Sequence, residues 1–263
     1  MRRTLGFVAE VDLTAATGRR PLADLAEALS GARLEEAVPS RRARSPPDPI
    51  PRTTLEALLT WAAERGLVVV SDDCYDEMWL DAPVECTARV AADATARGLP
   101  MPPVVSVFSF SKTHAMTGFR LGYVVCPPEL TPRVHRVQET VLSCPSTPVQ
   151  HAGLAAVTGP QEHVARMRDS YRQRRDAVLA QLAGSPGGVA VETPAEGAFY
   201  LWMRQSSGRP SAELAGELLL RHGVALAPGT AFGPAGEAHL RISLAASTEA
   251  VLEGVRRVTE ALH

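Results

Sequence analysis

Residues 67–75 read LVVVSDDCY, four apolar residues followed by a polar segment. An uninterrupted apolar run that is rich in valine predicts a short strand buried on both faces. The runs VVSVF at 104–108 and LGYVV at 121–125 predict two more strands of the same kind. Strands of this type belong to parallel sheets that helices cover on both faces.

Helical patterns separate these strands. The sequence TTLE at 53–56 resembles a capping box, with Thr53 placed as the N-cap and Glu56 three residues later. Leucines then recur at helical spacing until Gly66, which predicts the end of the helix. The alternation of helix and strand predicts an α/β fold with a partial, doubly wound and mostly parallel sheet.

The pattern changes in the second half of the chain. A long helical stretch at 163–182 is followed by short strand patterns within 189–202, and helices and strands then alternate to the end. We expect a smaller C-terminal α+β domain and divide the chain into domains 1–140 and 141–263. Residues 41–52 are rich in arginine and proline and predict a loop.

Composition argues against several classes of protein. The 263 residues include 27 basic and 29 acidic ones, a formal net charge of −2, which disfavours a nucleic-acid-binding surface. No apolar run approaches the ~18 residues of a membrane span, and the N-terminus makes a poor signal peptide. Four cysteines without a C-x-x-C pair favour a reducing compartment, and the seven histidines show no metal-ligand spacing. We expect a cytoplasmic protein with no metal and with neither nucleic acid nor membrane as a partner.

Lys112 is the only lysine among the 27 basic residues of the chain. Where positive charge alone is needed, this sequence uses arginine. The chemistry open to lysine but not to arginine is nucleophilic attack by a neutral amine, including condensation with an aldehyde. An ordinary surface lysine is the alternative interpretation, so the surroundings of Lys112 must decide.

Polar side chains follow the predicted strands. Asp72 and Tyr75 come after the first strand, Ser109 and Lys112 after the second, and Arg120 precedes the third. In an open α/β sheet, ligands bind outside the carboxyl ends of the strands. An amine, a carboxylate, and hydroxyl and cationic donors together suit an aldehyde cofactor that carries a phosphate and a basic ring nitrogen.

Five ordered motifs carry a resemblance to a known family. The sequence SFSKTHAMTGFRLGY at 109–123 resembles the lysine motif of the class I/II aminotransferases, which are fold-type I pyridoxal-phosphate enzymes. SDDCY at 71–75 resembles their ring-binding strand end. EGAFY at 196–200, PGTAFG at 228–233 and RIS at 241–243 resemble their small-domain motifs. The resemblance implies pyridoxal 5′-phosphate as cofactor, and an aminotransferase that moves an amino group from an α-amino acid to a 2-oxo acid.

The resemblance also implies roles for the residues that contact the cofactor ring. Lys112 would hold the cofactor as an imine and then move the Cα proton of the substrate. Asp72 would pair with the protonated ring nitrogen, and Tyr75 would hydrogen-bond the phenolic oxygen of the ring.

Four further residues have implied roles in binding anionic groups. Ser109 and Arg120 would bind the cofactor phosphate, with Ser111 as a weaker candidate. Arg241 would hold the substrate α-carboxylate through a bidentate fork, a geometry that lysine cannot copy.

Each of these roles has a structural alternative. Asp72 could cap a helix while Asp73 is the functional carboxylate, and Tyr75 could be a core aromatic residue. The serines could be turn residues, and the arginines could belong to a solvated face. His114 lies inside the lysine motif, where we expect it to form a wall of the pocket rather than act as a catalyst.

Two departures from the family pattern bear on activity. The resemblance extends from about residue 53 to the C-terminus, with a weaker continuation back toward Val8. We expect the chain to lack the family's N-terminal strands, its glycine-containing phosphate loop and its ring-stacking aromatic residue. RSPPDP at 44–49 stands where family members have an Asn-Pro-Thr-Gly turn. We therefore expect an exposed sheet edge and weakened cofactor binding.

Two alternatives to the aminotransferase remain open. One is another pyridoxal-phosphate enzyme that works through an α-carbanion, such as a lyase or a racemase. The other is a truncated, catalytically inactive remnant that serves as a binding or dimerising module. The resemblance implies a homodimer, and the sequence does not indicate the preferred side chain of the substrate.

Overall fold

The computed structural model describes residues 6–8, 50–183 and 188–262 of the chain. These residues form two compact units. The first comprises strand 6–8 with residues 50–77 and 83–164, and the second comprises residues 78–82 and the described residues from 165 onward. A compact unit is not by itself an independently folding domain, so the division into domains 1–140 and 141–263 stays a prediction.

The first unit is built on a four-stranded sheet. Its strands lie in the order β1-β4-β3-β2. They are β1 (Gly6–Val8), β2 (Val69–Asp72), β3 (Val104–Ser109) and β4 (Gly122–Val125).

Only one of the three strand pairings in this described sheet is parallel. β2 pairs with β3 in parallel, whereas β4 is antiparallel to both β3 and β1. The expectation of a mostly parallel sheet therefore does not hold for these strands. Residues 110–121 form only the short helix α3 (Phe110–Thr113) and a 3₁₀ turn before β4 begins. They do not provide the longer crossover helix that would return the chain to a parallel start.

Strand β2 is also less buried than its apolar sequence predicted. Burial alternates along β2, and the side chain of Val70 is 59% exposed. β2 is the outermost strand of the described sheet, which explains why one of its faces meets solvent.

Helices cover both faces of this sheet. On one face lie α1 (Arg52–Glu64) and α2 (Thr87–Ala96), which bury a cluster of aliphatic residues against β3. On the other face, the N-terminal turn of α4 (Thr131–Leu142) packs against Val105 of β3. Helix α5 (Thr147–Thr158) packs around α3.

The start of α1 differs from the capping-box prediction. The helix begins at Arg52, Pro51 is its N-cap residue, and no side-chain cap hydrogen bond forms. Gly66 follows the helix with φ of +64°, a left-handed conformation that glycine adopts without strain, so the predicted stop agrees with the structure.

The second unit is α+β, in agreement with the sequence pattern. Helix α6 (Glu162–Ala183) runs into it, and an antiparallel sheet with the strand order β5-β6-β8-β7 follows. Its other elements are β5 (Val189–Ala190), β6 (Tyr200–Gln205), α7 (Ser211–His222), β7 (Ala227–Pro228), β8 (His239–Ser243) and α8 (Thr248–Ala261).

The core of the second unit lies beneath the β6–β8 pair. Leu201, Met203 and Leu240 are completely buried, and the polar residues of both strands alternate with them. Leu218 of α7 and Val255 of α8 are also fully buried. Within the described residues, no helix is both long and apolar enough to cross a membrane.

Candidate active site

Two polar loops leave the first sheet at the same edge. β2 and β3 are parallel, and Asp72 at the end of β2 pairs with Val107, two residues before β3 ends. The backbone N–H of Asp73 continues this pairing by donating to the Val107 carbonyl at 2.9 Å. The segment after β2 and the segment after β3 therefore begin side by side, as expected for the carboxyl ends of parallel strands.

Lys112 and Tyr75 meet at this edge. Lys112 is the third of the four residues of α3 and is half-buried. Its Nζ lies 5.7 Å from the centroid of the Tyr75 ring. That distance is within the range of a cation–π contact.

The one-turn helix that carries Lys112 is fixed by local hydrogen bonds. The Ser109 hydroxyl accepts from the Ser111 backbone N–H at 3.1 Å, which makes Ser109 the N-cap. The Thr117 hydroxyl donates to the Ser111 carbonyl at 2.9 Å. Ser111 is 3% exposed and Ser109 is 7% exposed, so both serine side chains are buried.

Arg120 lies beside the end of β3. Gly122, two residues after it, pairs with Ser109 across the β3–β4 ladder. Arg120 has a left-handed backbone with φ of 52°, and its exposed guanidinium donates to the Thr117 carbonyl at 3.0 Å. This geometry presents an exposed cation next to the Lys112 turn.

Asp72 and Asp73 face different environments. Asp72 is exposed, and its carboxylate accepts from the backbone N–H of Cys74 at 3.2 Å. Asp73 points to the opposite face, where its carboxylate accepts from the Ser71 hydroxyl at 2.8 Å and burial raises its pKa. Of the two carboxylates, Asp72 is the one that an added ligand can reach.

Sequence reasoning missed a second buried acid in the same turn. Burial raises the pKa of Asp76 to about 6, and the neighbouring Glu77 and Asp73 add to the effect. The pKa of Tyr123 rises to about 12, chiefly because of burial. No feature of the sequence around Asp76 distinguishes it from a solvated carboxylate.

His114 lies beside two other rings, and its place in the wall of a cofactor pocket stays a prediction. Its ring centroid lies 5.3 Å from that of Phe110 and 5.6 Å from that of His163. Burial lowers the pKa of His114, and the positive charge of His163 lowers it further. The ring therefore favours its neutral form.

Arg241 lies in the second unit, on β8. Its guanidinium carbon is 4.2 Å from the ring centroid of Tyr200 and 4.2 Å from that of Phe232. The rings of these two residues hold the planar guanidinium by stacking. Both aromatic residues belong to motifs that pointed to the family, but their contact with Arg241 was not predicted.

Two other kinds of site do not involve the predicted residues. A cavity of about 450 Å³ lies in the second unit. Its lining comes from residues 223–226 and from residues between 242 and 257, and it includes none of the predicted site residues. Across the described parts of the chain, no group of three or more histidine, cysteine, aspartate or glutamate side chains could hold a metal ion.

Asp72 and Tyr75 lie at and after the end of β2, Ser109 ends β3, and Lys112 and Arg120 lie between β3 and β4. A mixed α/β unit is followed in the chain by a unit with an antiparallel sheet. Residues 48–258 match the family model "Aminotransferase class I and II". The chain belongs to that family, whose members depend on pyridoxal phosphate.

Curated relatives agree with this membership. The chain is 34% identical over 211 residues to an arginine–pyruvate transaminase of Pseudomonas aeruginosa, a match covering 80% of this chain and 51% of the relative. It is 33% identical over 204 residues to an LL-diaminopimelate aminotransferase of Aquifex aeolicus, covering 76% and 50% respectively. The chain thus spans about half the length of the curated relatives it matches.

Solved structures show the same fold. A probable N-succinyldiaminopimelate aminotransferase from Thermus thermophilus matches with a TM-score of 0.71 and 30% identity, covering 81% of this chain and 55% of that one. An aromatic aminotransferase from Pyrococcus horikoshii matches with a TM-score of 0.70 and 32% identity, covering 83% and 58%.

Proposed function

We propose that this chain provides the lysine-bearing part of a pyridoxal-phosphate-dependent aminotransferase that acts on an α-amino acid and a 2-oxo acid. The observation that carries the proposal is the position of Lys112. The only lysine of the chain lies against Tyr75, at a sheet edge that also holds the exposed carboxylate of Asp72. Membership of the aminotransferase family supports the same chemistry.

The donor set at this edge suits pyridoxal phosphate. Lys112 offers an amine for the aldehyde, and Asp72 offers an exposed carboxylate for the ring nitrogen. The Tyr75 hydroxyl is a donor for the phenolic oxygen, and the exposed guanidinium of Arg120 is a charge-assisted donor for a phosphate. Ser109 caps α3 with its hydroxyl oxygen, and a hydroxyl group is a type of donor that suits a phosphate.

The cofactor, when bound, supplies an electrophilic carbon and a ring that accepts the electron pair released at the substrate Cα. The protein residues bind and orient it. In our proposal, Asp72 would hold the ring nitrogen in its protonated form, and the Lys112 amine would take up the proton that leaves the substrate Cα and donate it again later in the reaction. The amino acid is oxidised to a 2-oxo acid in one half-reaction, and a second 2-oxo acid is reduced to an amino acid in the other.

Arg241 is proposed to bind the substrate α-carboxylate. In this proposal, the contacts of its guanidinium with the Tyr200 and Phe232 rings orient the planar fork for bidentate hydrogen bonds. We further propose that the working form is a homodimer, as the family resemblance implies.

Covalent trapping tests the proposal directly. The full chain is incubated with pyridoxal phosphate, reduced with borohydride and mapped by mass spectrometry. We expect the pyridoxyl group on Lys112 and a visible absorbance band before reduction, and both are absent in Lys112→Ala. Folded wild-type protein that is labelled nowhere, or only at its N-terminal amine, contradicts the proposal.

Product analysis then separates the reaction types. A panel of amino acids with 2-oxoglutarate should yield glutamate and the matching 2-oxo acid. Release of ammonia or of pyruvate without consumption of 2-oxoglutarate indicates a lyase instead. Labelling of Lys112 without any turnover indicates a remnant that retains the cofactor but not the reaction.

A further inference from the structure

The turn after β2 is anchored at its first residue. Residues 73–76, which we call the Tyr75 turn, are closed by the hydrogen bond typical of a β-turn, in which the Asp76 N–H donates to the Asp73 carbonyl at 3.1 Å. The Asp73 N–H donates to the Val107 carbonyl of β3 at 2.9 Å. One backbone group of Asp73 thus binds the sheet and the other closes the turn, in which Tyr75 is the third residue.

The side chain of Asp73 ties the same turn to helix α2. The Ser71 hydroxyl donates to the Asp73 carboxylate at 2.8 Å, and the hydroxyl oxygens of Ser71 and Thr87 are also 2.8 Å apart. A hydroxyl carries one hydrogen, and Ser71 uses its own for the carboxylate. The Thr87 hydroxyl is therefore the donor in the second pair, and the hydrogen bonds run in one direction from Thr87 through Ser71 to Asp73.

The far end of these hydrogen bonds is fixed by core packing. Thr87 is the first residue of α2 and is 5% exposed. Val90 and Ala91, within the next turn of the helix, are buried in the aliphatic cluster that covers β3. The two hydroxyl groups therefore connect the Tyr75 turn to a part of the first unit that cannot shift without disturbing its core.

The contact at Asp73 needs an acceptor oxygen more than it needs a negative charge. Burial raises the pKa of Asp73, and the neighbouring charge of Asp72 raises it further, so the fold disfavours the charged carboxylate. The side-chain oxygen of an asparagine is also an acceptor for the Ser71 hydroxyl. An uncharged residue of the same shape can therefore make the same contact.

We propose that Asp73 is a positioning residue that holds the Tyr75 ring against Lys112. Its carboxylate, tied through Ser71 to Thr87, fixes the first residue of the Tyr75 turn. All five residues belong to the first unit, and the Lys112 Nζ lies 5.7 Å from the ring centroid.

The importance of that contact for catalysis rests on the proposed function. The positioning itself does not, because it concerns contacts within the polypeptide. In this proposal Asp73 touches neither cofactor nor substrate, unlike the functional carboxylate that its place in the sequence also allowed.

The single lysine gives a direct readout of this positioning. Reductive methylation of the full, cofactor-free chain with ¹³C-formaldehyde labels Lys112 and the N-terminal amine only, so one side-chain methyl resonance results. The face of an aromatic ring shifts nearby methyl resonances upfield. Tyr75→Leu gives the resonance position without that ring and therefore calibrates the scale.

The test compares Asp73→Ala with Asp73→Asn. We expect Asp73→Ala, which removes the acceptor, to move the Lys112 resonance from the wild-type position toward the Tyr75→Leu position. Asp73→Asn keeps an acceptor without the charge and should stay close to the wild-type position. Asp93→Ala is the matched control for losing one carboxylate in the same unit, because Asp93 forms an exposed ion pair with Arg52 at 2.9 Å. It should leave the resonance unchanged.

A second variant keeps the proposal falsifiable. Ser71→Ala removes the donor and leaves Asp73 in place, so we expect a shift in the same direction as in Asp73→Ala. It replaces Asp73→Ala in the comparison if the latter does not fold.

Three outcomes overturn the positioning role. They are a folded Asp73→Ala, or Ser71→Ala in its place, with the wild-type resonance; an Asp73→Asn that shifts as far as the variant without the contact; and a Tyr75→Leu that does not differ from wild type. Failure of borohydride trapping in wild type overturns the proposed function instead, and it leaves the resonance positions of the cofactor-free chain unaffected.

Discussion

Asp76 and Asp81 lie five residues apart but experience opposite electrostatic environments. Burial without a cationic partner raises the pKa of Asp76 to about 6. Asp81 keeps a lowered pKa because Arg175 hydrogen-bonds its carboxylate. The first residue belongs to the turn after β2 that carries Tyr75, and the second belongs to the segment Met78–Ala82 of the second unit, which we call the strap.

The two parts of the segment from Asp73 to Asp81 differ in whether the fold favours the charged carboxylate. The Tyr75 turn contains acids whose charge is disfavoured, since Asp73 also has a raised pKa through burial. The strap contains an acid whose charge is favoured and fully hydrogen-bonded. Perturbed groups of the first kind are typical of functional sites, whereas paired groups of the second kind stabilise the fold.

The largest expected effect concerns the packing of the strap. Leu80 is 1% exposed, and Leu80→Ala should lower the free energy of unfolding by about 2–5 kcal/mol through lost burial and cavity formation. Val70→Ala at an exposed position of β2 should change it by less than about 0.5 kcal/mol. Urea denaturation followed by circular dichroism measures both. Equal losses would show that the strap is no better packed than the open face of the first sheet.

The next effect is a gain of stability at Asp76. Because its pKa in the folded protein is raised, the folded state retains a proton that the unfolded state loses between about pH 4 and pH 6. Stability therefore falls as pH rises through this window. Asp76→Asn should remove the penalty and raise the free energy of unfolding by about 2 kcal/mol at pH 7.5, with little change below pH 4.

Unfolding of both proteins at several pH values checks this prediction. Asp72→Asn, at the exposed carboxylate four residues earlier, is the control and should show no comparable gain. A loss of stability in Asp76→Asn at pH 7.5 would mean that interactions in the folded protein outweigh the cost of burying the charged Asp76 carboxylate.

The smallest effect has the opposite sign and concerns Asp81. Its lowered pKa in the folded protein means that it stabilises the fold above its ordinary pKa, and that this contribution disappears as pH falls through the folded value. The side chain of Asp81 is 48% exposed, which weakens the pair by solvent screening. Asp81→Asn should therefore cost about 1 kcal/mol at pH 7 and nothing at low pH.

The same unfolding series tests this prediction, with Glu192→Gln as an exposed-pair control that should be nearly neutral. If Asp81→Asn were as stable as wild type at pH 7, the charged Asp81 carboxylate would not stabilise the fold, which contradicts this prediction.

Sequence patterns predicted the elements of the fold better than their arrangement. The strands predicted at 67–71, 104–108 and 121–125 are found at Val69–Asp72, Val104–Ser109 and Gly122–Val125, and the second half is α+β as expected. The direction of β4 was not predictable from its composition, because a buried valine-rich strand looks alike in parallel and antiparallel pairing. Exposure of Val70 was missed for a similar reason, since burial depends on which elements cover a face.

The candidate site shows the same division. Lys112, Asp72 and Tyr75 could be selected from motif order and residue chemistry, although their roles remain predictions. The stacking of Tyr200 and Phe232 on Arg241 joins residues from different elements, so spacing along the chain did not reveal it. The sequence did not distinguish Arg175 from the other arginines, and only the fold shows that it pairs with Asp81.

By itself, the sequence determined the family of this protein and the position of its single lysine, because both depend on residue identity and order. Only the tertiary structure determines that Asp76 is buried and that Asp81 pairs with the Arg175 guanidinium. Arg175 and Asp81 are 94 residues apart in the chain and form a bidentate pair in the fold. Desolvation and ion pairing depend on distance in space, and only the folded chain sets those distances.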